Sequence, residues 1–288
     1  MYYGLIILSV LMFGGCFKLQ DVYRGLRGSG VRISLDTSFI GAIAAVILLF
    51  VINGFRIEFT PFTLIMAALA SLNSIGFTFC TLKALERIDL SLFSLFSMLG
   101  GMVLPFLQGI IFYKEGLTLA KILCLIFIGA ALFLTVTRGN GRGGAIYYVG
   151  IFVLNGMSGV LSKIFTESRF EKTSGTSYSL WIAVITALIS GVLILSLSGR
   201  LKRAESRITV GAVGASAANG AIYQLANLLL VIALSYVDAS VQYPMVTGGV
   251  IIVSTLICFF EKEKPSKKEM LAVLLSFVGM LLLFAVPI

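Results

Sequence analysis

Read for charge alone, the chain divides into ten long stretches free of Asp, Glu, Lys and Arg: residues 1–17, 37–55, 59–82, 90–113, 122–137, 143–162, 173–199, 208–237, 239–260 and 270–288. A membrane-crossing helix needs about 20 mostly apolar residues, and each stretch supplies that number or nearly so. The first extends past Lys18 to Gln20 and the fifth back past Lys121 to Leu117. Neither extension is costly, because a lysine near a helix end carries its ammonium to the interface. Within the stretches apolar residues run on without alternating, unlike the period-two strands of a closed barrel. The pattern predicts an all-α polytopic membrane protein of ten transmembrane helices joined by short connections. The first stretch has no basic leader or small-residue cleavage site, so it reads as a retained helix.

Composition agrees. Hydrophobic residues make up 58% of the chain and charged ones 12%. Soluble domains run near half apolar and a quarter charged, and disordered chains need low hydrophobicity, so both classes are excluded. The net charge of +9 arises from basic residues scattered singly between apolar runs rather than gathered into a stripe, so it does not indicate nucleic acid. It bears instead on orientation. Sixteen of the 22 Lys and Arg fall in the odd-numbered connections and six in the even-numbered ones. Cytoplasmic loops carry the basic excess, which puts both termini outside.

Histidine is absent, and the four cysteines (Cys16, Cys80, Cys124, Cys258) lie far apart inside apolar runs. Histidine-based metal sites, Ser-His and Cys-His nucleophile pairs and His proton relays are therefore excluded, and no metal or cofactor is expected. Asp89 and Asp238 each precede the serine that opens a span, and they read as N-caps. Under the arrangement argued next they lie on opposite faces of the membrane, so they form no aspartyl dyad. No enzyme is expected.

The chain also repeats itself. Ala84-Leu85-Glu86-Arg87-Ile88-Asp89-Leu90-Ser91 returns as Ala233-Leu234-Ser235-Tyr236-Val237-Asp238-Ala239-Ser240, an offset of 149. Gly100 aligns with Gly249, Lys114-Glu115 with Lys262-Glu263, and Lys18 with Lys163. The seam is the Gly-rich segment 138–144, which separates a first repeat (1–137) from a second (145–288). Five spans in each half is an odd number. The second copy is therefore inverted, as in many secondary transporters.

With this 5 + 5 repeat, the Ala-Leu…Ser openings of spans four and nine, Pro105 in span four and the acids Glu115 and Glu263, the chain resembles the drug/metabolite transporter superfamily, in particular its ten-span EamA-type members. The resemblance covers essentially the whole chain. It implies a central cavity lined by spans one, three, four, six, eight and nine. It also implies an integral membrane protein, expected in a prokaryotic plasma membrane, that moves small organic molecules.

Polar groups at mid-bilayer mark a cavity or a helix contact. Asn219, Tyr223 and Asn227 recur every fourth residue on one face of span eight. Ser240, Tyr243, Thr247 and Ser254 share a face of span nine, with Met98 standing at the position aligned with Thr247. Span six adds Asn155, Ser158 and Ser162. The candidate substrate-binding residues are Tyr223, Asn227, Tyr243, Gln242, Asn73, Asn155 and Met98, with Lys83 at the cavity mouth. Pro105 and Pro244 each remove a backbone donor and predict local helix distortion. No acidic residue is expected at mid-membrane, which favours a neutral, zwitterionic or anionic metabolite over a cationic drug. No ATP-binding domain is present, so transport would be driven by a proton or sodium gradient or by the solute's own. A scaffold or sensor that moves nothing is the remaining alternative.

Overall fold

A computed structural model describes residues 2–28, 31–85, 90–135, 145–197, 208–260 and 267–285. Among them the chain forms ten helices: α1 (Tyr2–Arg27), α2 (Val31–Ile52), α3 (Pro61–Leu85), α4 (Leu90–Tyr113), α5 (Leu119–Thr135), α6 (Ala145–Glu167), α7 (Gly175–Ser196), α8 (Val210–Leu234), α9 (Ala239–Phe260) and α10 (Lys267–Ala285). Six of them, α2, α4, α6, α7, α8 and α9, are long and apolar enough to cross a membrane. The other four contain shorter apolar segments, Tyr2–Cys16, Pro61–Phe77, Leu119–Leu134 and Met270–Leu283.

The helices carry many large apolar residues on exposed faces. On α2 the buried face holds Ala42, Ala45 and Leu49, while Ile43, Ile47 and Val51 lie exposed one turn apart on the other side. In water that face would aggregate. In a bilayer it contacts acyl chains, and close packing of the small face supplies the association energy.

Two inter-helix contacts are backbone on backbone. A Cβ on Gly41 of α2 would stand 3.1 Å from the Cα of Gly220 on α8. A Cβ on Gly156 of α6 would stand 2.5 Å from the carbonyl oxygen of Gly100 on α4. Only glycine allows either approach.

The packing runs between the first five helices and the last five. α1 lies on α8 and α9, α6 lies on α3 and α4, α2 lies on α7 and α8, and α3 lies on α7. α4 meets α9, and α5 meets α10. Exchanging helix n for helix n + 5 maps each of these pairs onto another of them or onto itself. Apolar clusters fill the bundle, one built from α4, α5, α9 and α10 around Met102, Cys124 and Ile128, another from α3, α6, α7 and α8 around Met66, Phe165 and Tyr178.

Where α1 meets α2, charges within helices are paired. Asp36 of α2 receives Arg27 from α1 at 2.7 Å and Arg32 at 3.1 Å. At the opposite end of the bundle, connections of the first half cap helices of the second. Glu58, between α2 and α3, accepts the amide of Ser174 at 2.9 Å and the hydroxyl of Ser177 at 3.0 Å, and so completes the N-terminus of α7. The indole of Trp181 donates to the Glu58 carbonyl at 2.9 Å.

Candidate functional site

A cavity of about 40 Å³ lies between α6, α8 and α9. It is lined by Ser158, Gly159 and Ser162 of α6, Asn227, Leu230, Val231 and Leu234 of α8, and Tyr243 of α9. That volume holds a few waters at most. Its polar groups are hydroxyls and one carboxamide, which can hydrogen-bond a solute without imposing a charge.

Each wall has a local cause. Gly159 lets α6 approach α4 and α9 together, since a Cβ there would fall 2.6 Å from Pro105 Cγ and 2.8 Å from the Tyr243 ring. Tyr243 then donates its hydroxyl to the Gly159 carbonyl at 3.1 Å. Asn227 donates to the carbonyl of Tyr223, one turn earlier, at 2.9 Å. Ser162 returns its hydroxyl to the Ser158 carbonyl at 3.1 Å.

Of the residues singled out by sequence, Tyr243 and Asn227 come together at this cavity. Tyr223 sits half-exposed one turn behind, its ring edge-on to Phe13 of α1 with centroids 5.4 Å apart. Three amides lie between helices and donate to backbone. Asn73 binds the Leu154 carbonyl at 2.9 Å, Asn155 the Ser97 carbonyl at 2.6 Å, and Gln242 the Leu230 carbonyl at 3.1 Å. Gln242 is fully buried, and its carboxamide oxygen has no partner among the described residues. Met98 packs against the cluster around Met102. Pro105 and Pro244 lie inside α4 and α9, both fully buried. The side chains of Lys83, Ser91, Ser94 and Ser254, together with Asp89, Glu263 and the 138–144 segment, lie outside the described residues.

Beside the cavity is an ion cluster whose pairing the sequence did not announce. Lys163 of α6 lies 3.0 Å from Glu115, in the α4–α5 connection, and 3.0 Å from Glu167. The first two are buried, at 4% and 5% side-chain exposure. Glu115 also accepts the amides of Ala239 and Ser240, both at 2.9 Å, at the N-terminus of α9. Burial alone would raise its pKa, but hydrogen bonds from Ser240, Lys163 and Ala239 outweigh that and hold it below the ordinary carboxylate value. Glu115 thus caps α9 rather than its own α5. Asp238, expected to cap α9, pairs with Lys121 of α5 at 2.8 Å. The Lys163 ammonium is itself buried, between the buried Glu115 and the partly exposed Glu167.

A family model of EamA-like transporters matches residues 142–285. The chain belongs to the EamA-like transporter family. It is therefore an integral, multi-pass membrane protein of the drug/metabolite transporter superfamily. One solved structure, described only as that of a protein, superposes with a TM-score of 0.75 over 98% of this chain and 97% of its own, at 16% identity. That likeness is one of fold. No curated protein matches the chain.

Proposed function

We propose that the chain is a secondary transporter that moves a small neutral, zwitterionic or anionic organic metabolite by alternating access. Two inverted five-helix halves, 1–137 and 145–288, joined by the 138–144 linker, would open in turn to the two sides. A proton, sodium or solute gradient would drive the cycle. The observation that carries this reading is the cavity between α6, α8 and α9, where Tyr243, Asn227, Ser158 and Ser162 converge with no charged side chain among the described residues of the lining. The exchange of packing partners between helix n and helix n + 5 supports the two-half description. The small volume fits a state in which no solute is held.

The test compares metabolites in cells and medium between a strain expressing the chain and one expressing a Tyr243→Ala/Asn227→Ala variant at equal folded yield. A metabolite displaced only by the unsubstituted chain is the expected result, and it gives direction and substrate class together. Equal displacement by both proteins sinks the site. Displacement of lipophilic cations alone sinks the substrate class. No displacement across a broad panel, with folded protein in the membrane, sinks transport.

A further inference from the structure

Five charged groups gather at one end of the bundle, and four of them join the first half of the chain to the second. The chain places them there by a local device. α4 ends at Lys114, whose φ of 54° is left-handed, and the amide of Glu115 then bonds back to the Gly109 carbonyl at 3.1 Å. This bond closes a loop one residue wider than the usual Schellman turn over the end of α4. Gly109 leaves the room required, since a Cβ there would stand 2.6 Å from the Glu115 carboxyl carbon. The carboxylate of a first-half connection is thereby buried against two second-half helices. It takes Lys163 of α6 on one side and the first amides of α9 on the other. It meets the positive end of a helix and an ammonium together, the two partners that most favour a carboxylate.

The turn that Glu115 holds is loosely joined to the rest of its helix. Pro244 has no N–H, so the carbonyl of Ser240 lacks its helical donor, and the turn 239–243 is bound to α9 by one bond fewer. That turn carries Tyr243, whose hydroxyl reaches Gly159 across the cavity. A physical chain therefore runs from Lys163 and Glu115, through the start of α9, to the group that closes the cavity.

We propose that the Glu115–Lys163 pair is the gate that holds the cavity shut toward the face carrying the even-numbered connections. Separation of the pair lets the 239–243 turn tilt at Pro244, withdraws Tyr243 from Gly159 and opens the cavity to that face. Lys121 and Asp238, the latter half exposed, form a weaker auxiliary tie across the same two halves. The groups that face the pair are Tyr113 of α4, with its ring 5.4 Å beneath the ammonium, Lys121 of α5, Glu167 of α6 and, from the α9 side, Asp238 and Tyr243. Glu115 and Lys163 act through Tyr243 and are positioning residues. The gate rests on the transporter reading above, but its test needs no substrate.

In a background with all four cysteines replaced by alanine, Val231→Cys, on the cavity wall and 6% exposed, reports on the cavity. Phe170→Cys, in the exposed α6–α7 connection, marks the face in a parallel sample. Vesicles of both orientations are treated with a membrane-impermeant maleimide, and the labelled fraction is followed by mass. Slow labelling of the Val231→Cys reporter is expected with the pair intact. In Glu115→Gln and in Lys163→Met it should rise about tenfold, only from the side that labels the Phe170→Cys marker. Lys163→Met leaves the cap on α9 in place, so it carries the test if Glu115→Gln fails to fold. Lys163→Arg should restore slow labelling. Unchanged labelling in the folded variants overturns the gate, and so does an equal rise from both sides, which means a loosened bundle. Loss of folded protein in both variants also overturns it, since a pair that only closes one face is dispensable for folding. A side-specific rise in a protein that moves no solute would instead overturn the transporter reading and leave the gate standing.

Discussion

The hydroxyl of Tyr243 and the carbonyl of Gly159 meet at 3.1 Å, joining α9 to α6 across the cavity with the ring resting on a residue that has no side chain. The bond and the ring do different work. The ring fills volume, while the hydroxyl sets where α9 begins relative to α6. Tyr243→Phe keeps the first and removes the second. A net hydrogen bond contributes about 1 kcal/mol, so the variant should melt a few degrees lower and, with α9 held less firmly to α6, should move solute at a changed rate. Initial rates in vesicles, measured with the metabolite identified by the profile, check this. An unchanged rate would show that the hydroxyl has no part in the cycle.

At the contact of α2 with α8, Gly220→Ala has nowhere to put its methyl except into the backbone of Gly41. Backbone cannot move aside like a side-chain end, so a loss of about 1–3 kcal/mol is expected. Gly129 of α5 is the control, since a Cβ there meets nothing within 4 Å. Gly129→Ala should be neutral or stabilising by up to about 1 kcal/mol, from helix propensity. Melting of the two variants in one detergent gives the comparison.

Glu58 gives the fold a dependence on acid. The Ser174 amide, followed by the hydroxyls of Ser174 and Ser177, holds its pKa below the ordinary carboxylate value. A carboxylate depressed in the folded state adds stability above its unfolded pKa and loses it as pH falls through the folded one. Wild type should therefore melt higher than Glu58→Gln at pH 7, with the gap narrowing only below about pH 4. A constant gap down to about pH 3 would mean that the charge contributes nothing.

The gate should not respond to pH in the neutral range. Glu115 is also held below the ordinary carboxylate value, so closure is favoured above that value and weakens only as pH falls beneath it. Labelling of the Val231→Cys reporter should be flat from about pH 8 to about pH 5.5 and rise only where a free carboxyl would already be protonating, near pH 4. A rise centred at about pH 6.5 would mean that another group controls access.

How far the sequence anticipated this molecule depended on where its charges found partners. The charge-free stretch 90–113 coincides with α4, and 239–260 with α9. The estimate failed at α1, which continues nine residues past Lys18, and at α2, which starts before Arg32 and Asp36. There Arg27, Asp36 and Arg32 neutralise one another, so charges that resemble a boundary lie within helices. α6 likewise runs through Lys163 to Glu167. Asn227 and Tyr243 were legible because helical spacing puts polar residues on one face. Asn73, Asn155 and Gln242 carry the same signal and lie on neighbouring backbone instead, since spacing gives a face but not what meets it. Nothing local announces a partner 48 residues away, so the pairing of Glu115 with Lys163 was not legible in the sequence.

The glycine contacts of Gly41 with Gly220, and of Gly100 with Gly156, have a mechanical consequence. Each brings a helix of the first half against a helix of the second at a pair of glycines, with the Leu104 side chain beside the second pair. Interlocked side chains resist rotation because they must climb past one another, whereas bare backbone surfaces turn without changing any rotamer. A methyl group at either point meets backbone and has no rotamer to escape into, so it would push two helices apart rather than reshape a side chain.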